Sequence, residues 1–345
     1  MRFLVATLLL AVIPACGDRP PETLSRTYFV FGTEVSIQAY GQPAKIQPQL
    51  AVAQQLLRRR HREWHAWEPG LLDSLNEALA SGRCYPVNPP LRALLIQAAE
   101  LETATGGLFN AGAGNLIRRW GFHTSEFPIR QPPPTPEELA QLTAARPGLT
   151  QLIFNPDCIA SSNPAVRIDL GAIGKGAAID EVVDQLRDAG IPAALVNAGG
   201  DLRGYGAPGR PWRVAIRRPG SGPARPLAVL HLREDEAVVT SGGYARYVQH
   251  EQERYPHILD PRTGLPAAGP LSVTVVAHSA SVADAAATAL MIGGLPAVAQ
   301  TRSLAAVQHL LLITDDGCIH VDPALEDRLQ WPEAPACVET LDAAQ

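Results

Sequence analysis

The stretch IDLGAIGKG, from Ile168 to Gly176, decides the fold class. Residues 167–170 read as a strand end that carries a carboxylate, Asp169, and a tight glycine-bearing turn follows. Lys175 then opens a helical run that continues to Ala189 and is closed by Gly190. Residues 193–197 read as the next strand, so the segment forms a strand-helix-strand unit with glycine-rich turns at both ends. Outward from this unit, residues 28–40 alternate and are rich in Val, Ile and aromatics, which predicts one strand. Residues 48–67 and 90–105 read as helices, the second with Leu91, Leu94, Leu95, Ala98 and Leu101 at helical spacing. The prolines of residues 131–134 mark a lobe boundary or a surface loop before a helical stretch at 135–145. Strands over 212–216, 227–232 and 271–276 and a helix over 281–292, stopped by Gly293-Gly294, complete an α+β pattern.

Composition narrows the function. A chain of 345 residues with 46% hydrophobic content has material for a large core or two fused lobes. A net charge of -5 gives no basic footprint of the kind that tracks a phosphate backbone, so no nucleic-acid partner is expected. Met1-Arg2, the apolar run from Phe3 to Ile13 and Ala15-Cys16 read as an export signal over residues 1–15, too short to span a bilayer. A small residue before cysteine resembles a bacterial lipobox, with Cys16 as a lipid-anchored first mature residue on the periplasmic side of the inner membrane. A soluble exported protein is the alternative. Residues 16–24 form a polar tether, 25–335 the folded domain and 336–345 a tail. Cys84, Cys158, Cys318 and Cys337 remain, and they allow three pairings. No CxxC or Cys/His zinc spacing is present.

Several segments carry groups suited to chemistry. In IDLGAIGKG the carboxylate, the turn and a lysine at a helix start make a grip for a ligand with phosphates, or else a turn with a surface lysine. It is no Walker A loop, since no Ser or Thr follows Lys175. VNAGGD, from Val196 to Asp201, lets the backbone approach a ligand or turns between two strands. Asp284 and Thr288 in SVADAAATAL stand four apart, one above the other on a helix face, and offer oxygen to a hard divalent ion such as Mg2+. In YPHILDPRTG a turn brings His257, Asp260 and Arg262 together, and the histidine is a base candidate or a structural loop residue. His61 and His65 also stand four apart, but Glu63 is misplaced for HExxH, so an arginine-rich solvated helix face is expected there.

Taken in order, these segments resemble the ApbE family, the FAD:protein FMN transferases formerly described as thiamine-biosynthesis lipoproteins. The likeness runs through FGTEVSI, Leu75-Asn76, GLFNAGAGNLIRRWGF from Gly107 to Phe122, IDLGAIGKGAAID, LVNAGGD, TSGGYARY from Thr240, HILDPRTG and ADAAATAL. The resemblance implies a two-lobed α+β fold with mixed or antiparallel sheets flanked by helices and a FAD cleft between the lobes. It implies transfer of the FMN moiety of FAD to a threonine hydroxyl of a membrane redox protein, with Mg2+ and release of AMP. By position, Phe31, Leu108, Phe109, Asn110, Asp169, Lys175 and Ile258 match FAD contacts. Ala172, through its carbonyl, with Asp284 and Thr288 matches the metal ligands, and His257 matches the histidine that assists transfer. Phe31 stands where the family usually has methionine, Asn110 and Gly112 replace aspartate and threonine, Asn115 replaces proline, and Gly243 replaces aspartate. FAD hydrolysis to FMN and AMP, and FAD carriage without catalysis, are the competing readings.

Overall fold

The computed structural model describes residues 21–341 other than 127, 221–224 and 245. The expected export signal and Cys16 lie outside the described residues. Nine strands form one sheet, in the spatial order Glu22–Val30, Thr33–Gly41, Ala193–Ala198, Asp201–Tyr205, Glu236–Gly242, Ser272–Ala277, Val307–Ile313, Ile319–Val321 and Val338–Thr340. Neighbours are antiparallel except the last pair, which is parallel, so the sheet is mixed as expected.

Alternation along these strands fills two cores. Val35, Ile37, Ala194, Val196, Val273 and Val275 face a helical layer that includes Pro43–Glu63, Gly174–Asp188 and Ala280–Gly293. Leu195, Leu202, Val238, Val276 and Leu311 face the other way, toward a small sheet of Arg213–Arg217, Pro226–His231 and Leu329–Gln330. A third, smaller cluster of Leu116, Trp120, Phe122, Ile129, Leu139 and Val248 holds Tyr255 and Leu259 against it. The segment between those two residues carries His257.

Three expectations are corrected. Residues 28–40 are not one strand but a hairpin that turns at Phe31-Gly32, both with positive φ (55° and 70°). A bulky residue rarely adopts that conformation, so alternation concealed the turn. Residues 167–170 join no sheet: Arg167 makes an isolated bridge to Ala113, and the backbone of Ile168 is bound from both sides by the Asn76 amide, at 2.6 and 3.0 Å. The helix expected over 48–67 is Pro43–Glu63, so His65 lies beyond its end. The helices Pro89–Ala104, Pro136–Ala144, Gly174–Asp188 and Ala280–Gly293 stand where their periodicity placed them.

The cysteines pair Cys84 with Cys158 and Cys318 with Cys337. The first bridge fastens the chain after helix Leu71–Ala80, the helix that carries Asn76, to a hairpin of Leu152–Phe154 and Ile159–Ser161. The second ties the last strand of the large sheet to its neighbour. Among the described residues no helix is long and apolar enough to cross a membrane.

Candidate active site

Two helices and one strand build the polar end of the site. Helices Gly174–Asp188 and Ala280–Gly293 meet at Gly176, where a Cβ would lie 2.3 Å from the Ala280 carbonyl oxygen, so only glycine permits the contact. Asp180, farther along the first helix, then caps the second. It accepts from the amides of Ala280 (2.9 Å) and Ser281 (3.0 Å) and from the hydroxyls of Ser279 (2.9 Å) and Ser281 (3.0 Å). The two amides are otherwise unpaired N–H groups of a helix start. Arg203 completes the shell at 2.9 Å. With the helix start fixed in this way, Asp284 is carried one turn on toward Lys175.

Strand Asp201–Tyr205 presents Asp201 and Arg203, two residues apart, to the same helix. Lys175 Nζ lies 3.1 Å from Asp201 Oδ2, 3.4 Å from Asp284 Oδ2 and 3.3 Å from the Gly171 carbonyl. Both carboxylates are almost fully buried, with side-chain exposures of 8% and 5%. Burial pushes Asp284 up to about 7 and Asp201 adds to the rise, while Lys175 and the Gly176 amide oppose it. For Lys175 burial favours the neutral amine, but the two aspartates outweigh it and hold its pKa above the ordinary lysine value. Lys175 therefore keeps its positive charge between the two acidic side chains.

Asp169 sits on the other side of the Gly171 turn and is buried. One oxygen accepts from the Gly171 amide (2.8 Å) and the other meets His123 Nε2 (2.8 Å). Burial would raise its pKa, but His123, the Gly171 amide and Arg246 together hold it below the usual carboxylate range. His123 stacks on Trp67 with centroids 5.1 Å apart, and ring contacts continue through His65 and His61 to Phe31 at the hairpin turn. His61 and His65 are therefore not on a solvated face: both are half-buried in this aromatic row, because the helix ends before His65 and the chain folds back.

His257 is half-buried beside Phe122 and Arg246. Its Nδ1 lies 3.1 Å from the Arg246 carbonyl, an acceptor, so Nδ1 carries the proton and Nε2 keeps its lone pair. Burial, with the positive charges of Arg246 and Lys175, pushes its pKa down to about 4. The ring is a neutral acceptor at pH 7. Ile258 and Pro256, on either side of it, line a cavity of about 350 Å³ with Gly243, Tyr244, Leu271 and Met291. Of the residues expected to contact FAD, Ile258 alone lies on its wall.

The remaining expected contacts are placed as follows. Leu108 and Phe109 are buried in the main core. Asn110 braces a turn, donating to the Pro147 carbonyl (2.9 Å) and accepting from the Gly112 amide (2.8 Å). Glycine at 112 is required where the backbone passes Gly148, since a Cβ would stand 2.7 Å from the Gly148 Cα. Thr288 is half-buried one turn after Asp284. The Ala172 carbonyl accepts no hydrogen bond among the described residues. An unengaged carbonyl, a carboxylate in long contacts and a hydroxyl make an all-oxygen set, and Asp201 adds a second acidic side chain to the one lysine. This donor chemistry fits a hard divalent cation.

Asp201, His123, Arg246, Asn76 and Trp67 were not assigned from the sequence. Asp201 had a signal, as a carboxylate directly after a double glycine; His123 had none, since only the fold brings it to Asp169.

The ApbE family pattern matches residues 31–310. The chain is 40% identical over 98% of its length to an FAD:protein FMN transferase of Rhodobacter capsulatus, of which it spans 65%. It is 30% identical to the enzyme of that name from Vibrio cholerae, covering 91% of this chain and 95% of that one. Among solved structures, the ApbE protein of Thermotoga maritima superimposes with a TM-score of 0.81 at 26% identity, covering 89% of this chain and 99% of that one. The flavin transferase ApbE of Vibrio cholerae gives 0.76 at 27% identity, covering 90% and 100%. A family match over most of the chain, joined to this agreement in fold, establishes that the chain belongs to the ApbE family.

Proposed function

We propose that this chain transfers the FMN moiety of FAD to a threonine hydroxyl of an acceptor redox protein, requires Mg2+ and releases AMP. The observation that carries this reading is Asp284. It is a buried carboxylate in long contacts, beside a protonated lysine, with a hydroxyl one turn away and an unengaged carbonyl on the facing loop. The names of the relatives at 40% and 30% identity support it.

Asp284, Thr288 and the Ala172 carbonyl would hold Mg2+, which when bound offsets charge on the FAD diphosphate. Phosphoryl transfer asks mainly for alignment and for positive charge where negative charge grows. Lys175 supplies a positive charge to that end of the ligand. His257, with its proton on Nδ1, uses Nε2 to take the hydrogen of the acceptor hydroxyl. The new bond joins the threonine oxygen to the FMN phosphorus, the diphosphate P–O bond breaks, and AMP departs with its electron pair. As the diphosphate enters, its negative charge offsets those of Arg246 and Lys175, which raises the basicity of His257 when a base is needed.

The two disulfides suit an oxidising compartment. They support export to the periplasmic side of the inner membrane, with Cys16 as the lipid anchor that brings the site to membrane-bound acceptors. Replacing Cys16 by alanine should release the protein from the membrane fraction.

The decisive experiment incubates the full chain with FAD, Mg2+ and a candidate acceptor, then follows flavin fluorescence on a denaturing gel. A fluorescent acceptor band that disappears with a chelator is the expected result. Free FMN with no labelled protein would favour hydrolysis, and unchanged FAD would favour a carrier.

A further inference from the structure

We propose that Lys175 and Asp201 form a charge-exchange pair: the Lys175 ammonium occupies the cation position beside Asp284, and Asp201 takes it over when a divalent cation arrives. The inference rests on the Mg2+ assignment to Asp284 and adds a role for Asp201.

The geometry describes an ammonium in a cation's place. Nζ touches Asp284, Asp201 and the carbonyl of Gly171, which adjoins Ala172. These are the kinds of oxygen donor a hard cation takes. A lysine side chain carries a compact charge on a flexible four-carbon stem, so Nζ can move without shifting its helix. The carboxylates cannot follow it. Asp284 is fixed on a helix capped by Asp180, and Asp201 stands on a strand paired on both sides.

Charge balance then gives Asp201 its purpose. Lys175 and Asp284 alone offset each other and offer a dication little attraction, whereas Asp201 adds a second acidic side chain within 3.1 Å of the ammonium. An ammonium displaced from Asp284 with no second carboxylate would be left unpaired in a largely buried site, a strongly unfavourable outcome that opposes metal entry. With Asp201 in place, the lysine moves from a shared contact to a full one. Asp201 therefore acts on the cation through Lys175 and is a positioning residue.

The test is calorimetric titration of Mn2+ into the full chain without FAD. Asp201→Asn, which keeps the side-chain shape, should weaken Mn2+ binding at least tenfold. Lys175→Met should strengthen it at least threefold, although it removes a positive charge meant for the diphosphate. In the double variant the weakening caused by Asp201→Asn should shrink by at least threefold, because the lysine to be housed is gone and only the pull of Asp201's own charge is lost. Lys175→Gln should act in the same direction as Lys175→Met, guarding against a packing effect of methionine. Weaker or unchanged binding in both lysine variants overturns the proposal. So does an Asp201→Asn loss that persists undiminished without the lysine, which would make Asp201 a direct ligand. A wild-type chain that binds no Mn2+ at millimolar concentration overturns the metal assignment as well, whereas wild-type binding with the wrong variant signs overturns the exchange alone.

Discussion

Asp180 and Asp284 are both carboxylates at the junction of the same two helices, yet their surroundings are opposite. Asp180 accepts from two amides, two hydroxyls and a guanidinium, all between 2.9 and 3.0 Å. Asp284 has an ammonium at 3.4 Å and the Gly176 amide. A carboxylate whose lone pairs are filled by protein donors is part of the scaffold. One left with spare capacity in a buried site raises the energy of the folded chain unless something else uses it. The first carboxylate sets the position of the second, so a strong site and a weak one are coupled by design of the fold.

Four experiments break or sharpen this contrast. The largest effect is expected from Asp284→Ala, which should cost transfer about 10³-fold, or about 4 kcal/mol of transition-state stabilisation, while its thermal midpoint stays near that of the wild type. A fall in stability equal to that of an Asp180 variant would erase the distinction. Next, Asp180→Ala strips the cap and leaves Arg203 with a lost partner, so unfolding in denaturant should come about 3 kcal/mol earlier. A variant as stable as the wild type would show that the cap carries no load.

Smaller is the loss from His257→Ala, about 100-fold in kcat, or about 2.7 kcal/mol, with stability nearly unchanged. Unchanged kcat would remove the proposed base. The smallest effect concerns pH. Because burial and nearby cations lower the folded pKa of His257 to about 4 from the ordinary histidine value of 6.5, the unfolded chain binds a proton across that interval that the folded chain refuses. The stability tied to the neutral ring is complete above pH 6.5 and is lost as pH falls toward 4. Denaturant midpoints at pH 7.5 and 5 should therefore drop less in a His257→Asn variant than in the wild type; equal drops would contradict the assignment.

Much of the helical layer was legible in the chain because its signals are local. Gly190 closes the lysine helix, Gly293 and Gly294 close the aspartate helix, and Asp284 and Thr288 share a face by spacing alone. What escaped was set by distant contacts. Phe31 takes a turn conformation that its own side chain disfavours, so a hairpin looked like one strand. Residues 167–170 looked like a strand but take their partners from the side chain of Asn76 and from the backbone of Ala111 and Gly112. His61 and His65 read as surface residues until the fold-back after Glu63 stacked them toward Trp67. The proposed metal ligands Asp284 and Thr288 were visible in the sequence. The partner that balances it, Asp201, reaches Lys175 only through the sheet.

The bridge between Cys84 and Cys158 spans 74 residues of chain. By the chain-entropy argument, closing a loop of that size removes about 4 kcal/mol of freedom from the denatured ensemble. A molecule that unfolds with this bridge intact never wanders far. The segment that must dock on Asn76 begins just beyond one end of the loop, and Asn76 lies just before the other. Renaturation thus starts with Asn76 and the backbone of Ile168 already introduced to each other, and a reduced chain has to find that meeting by diffusion.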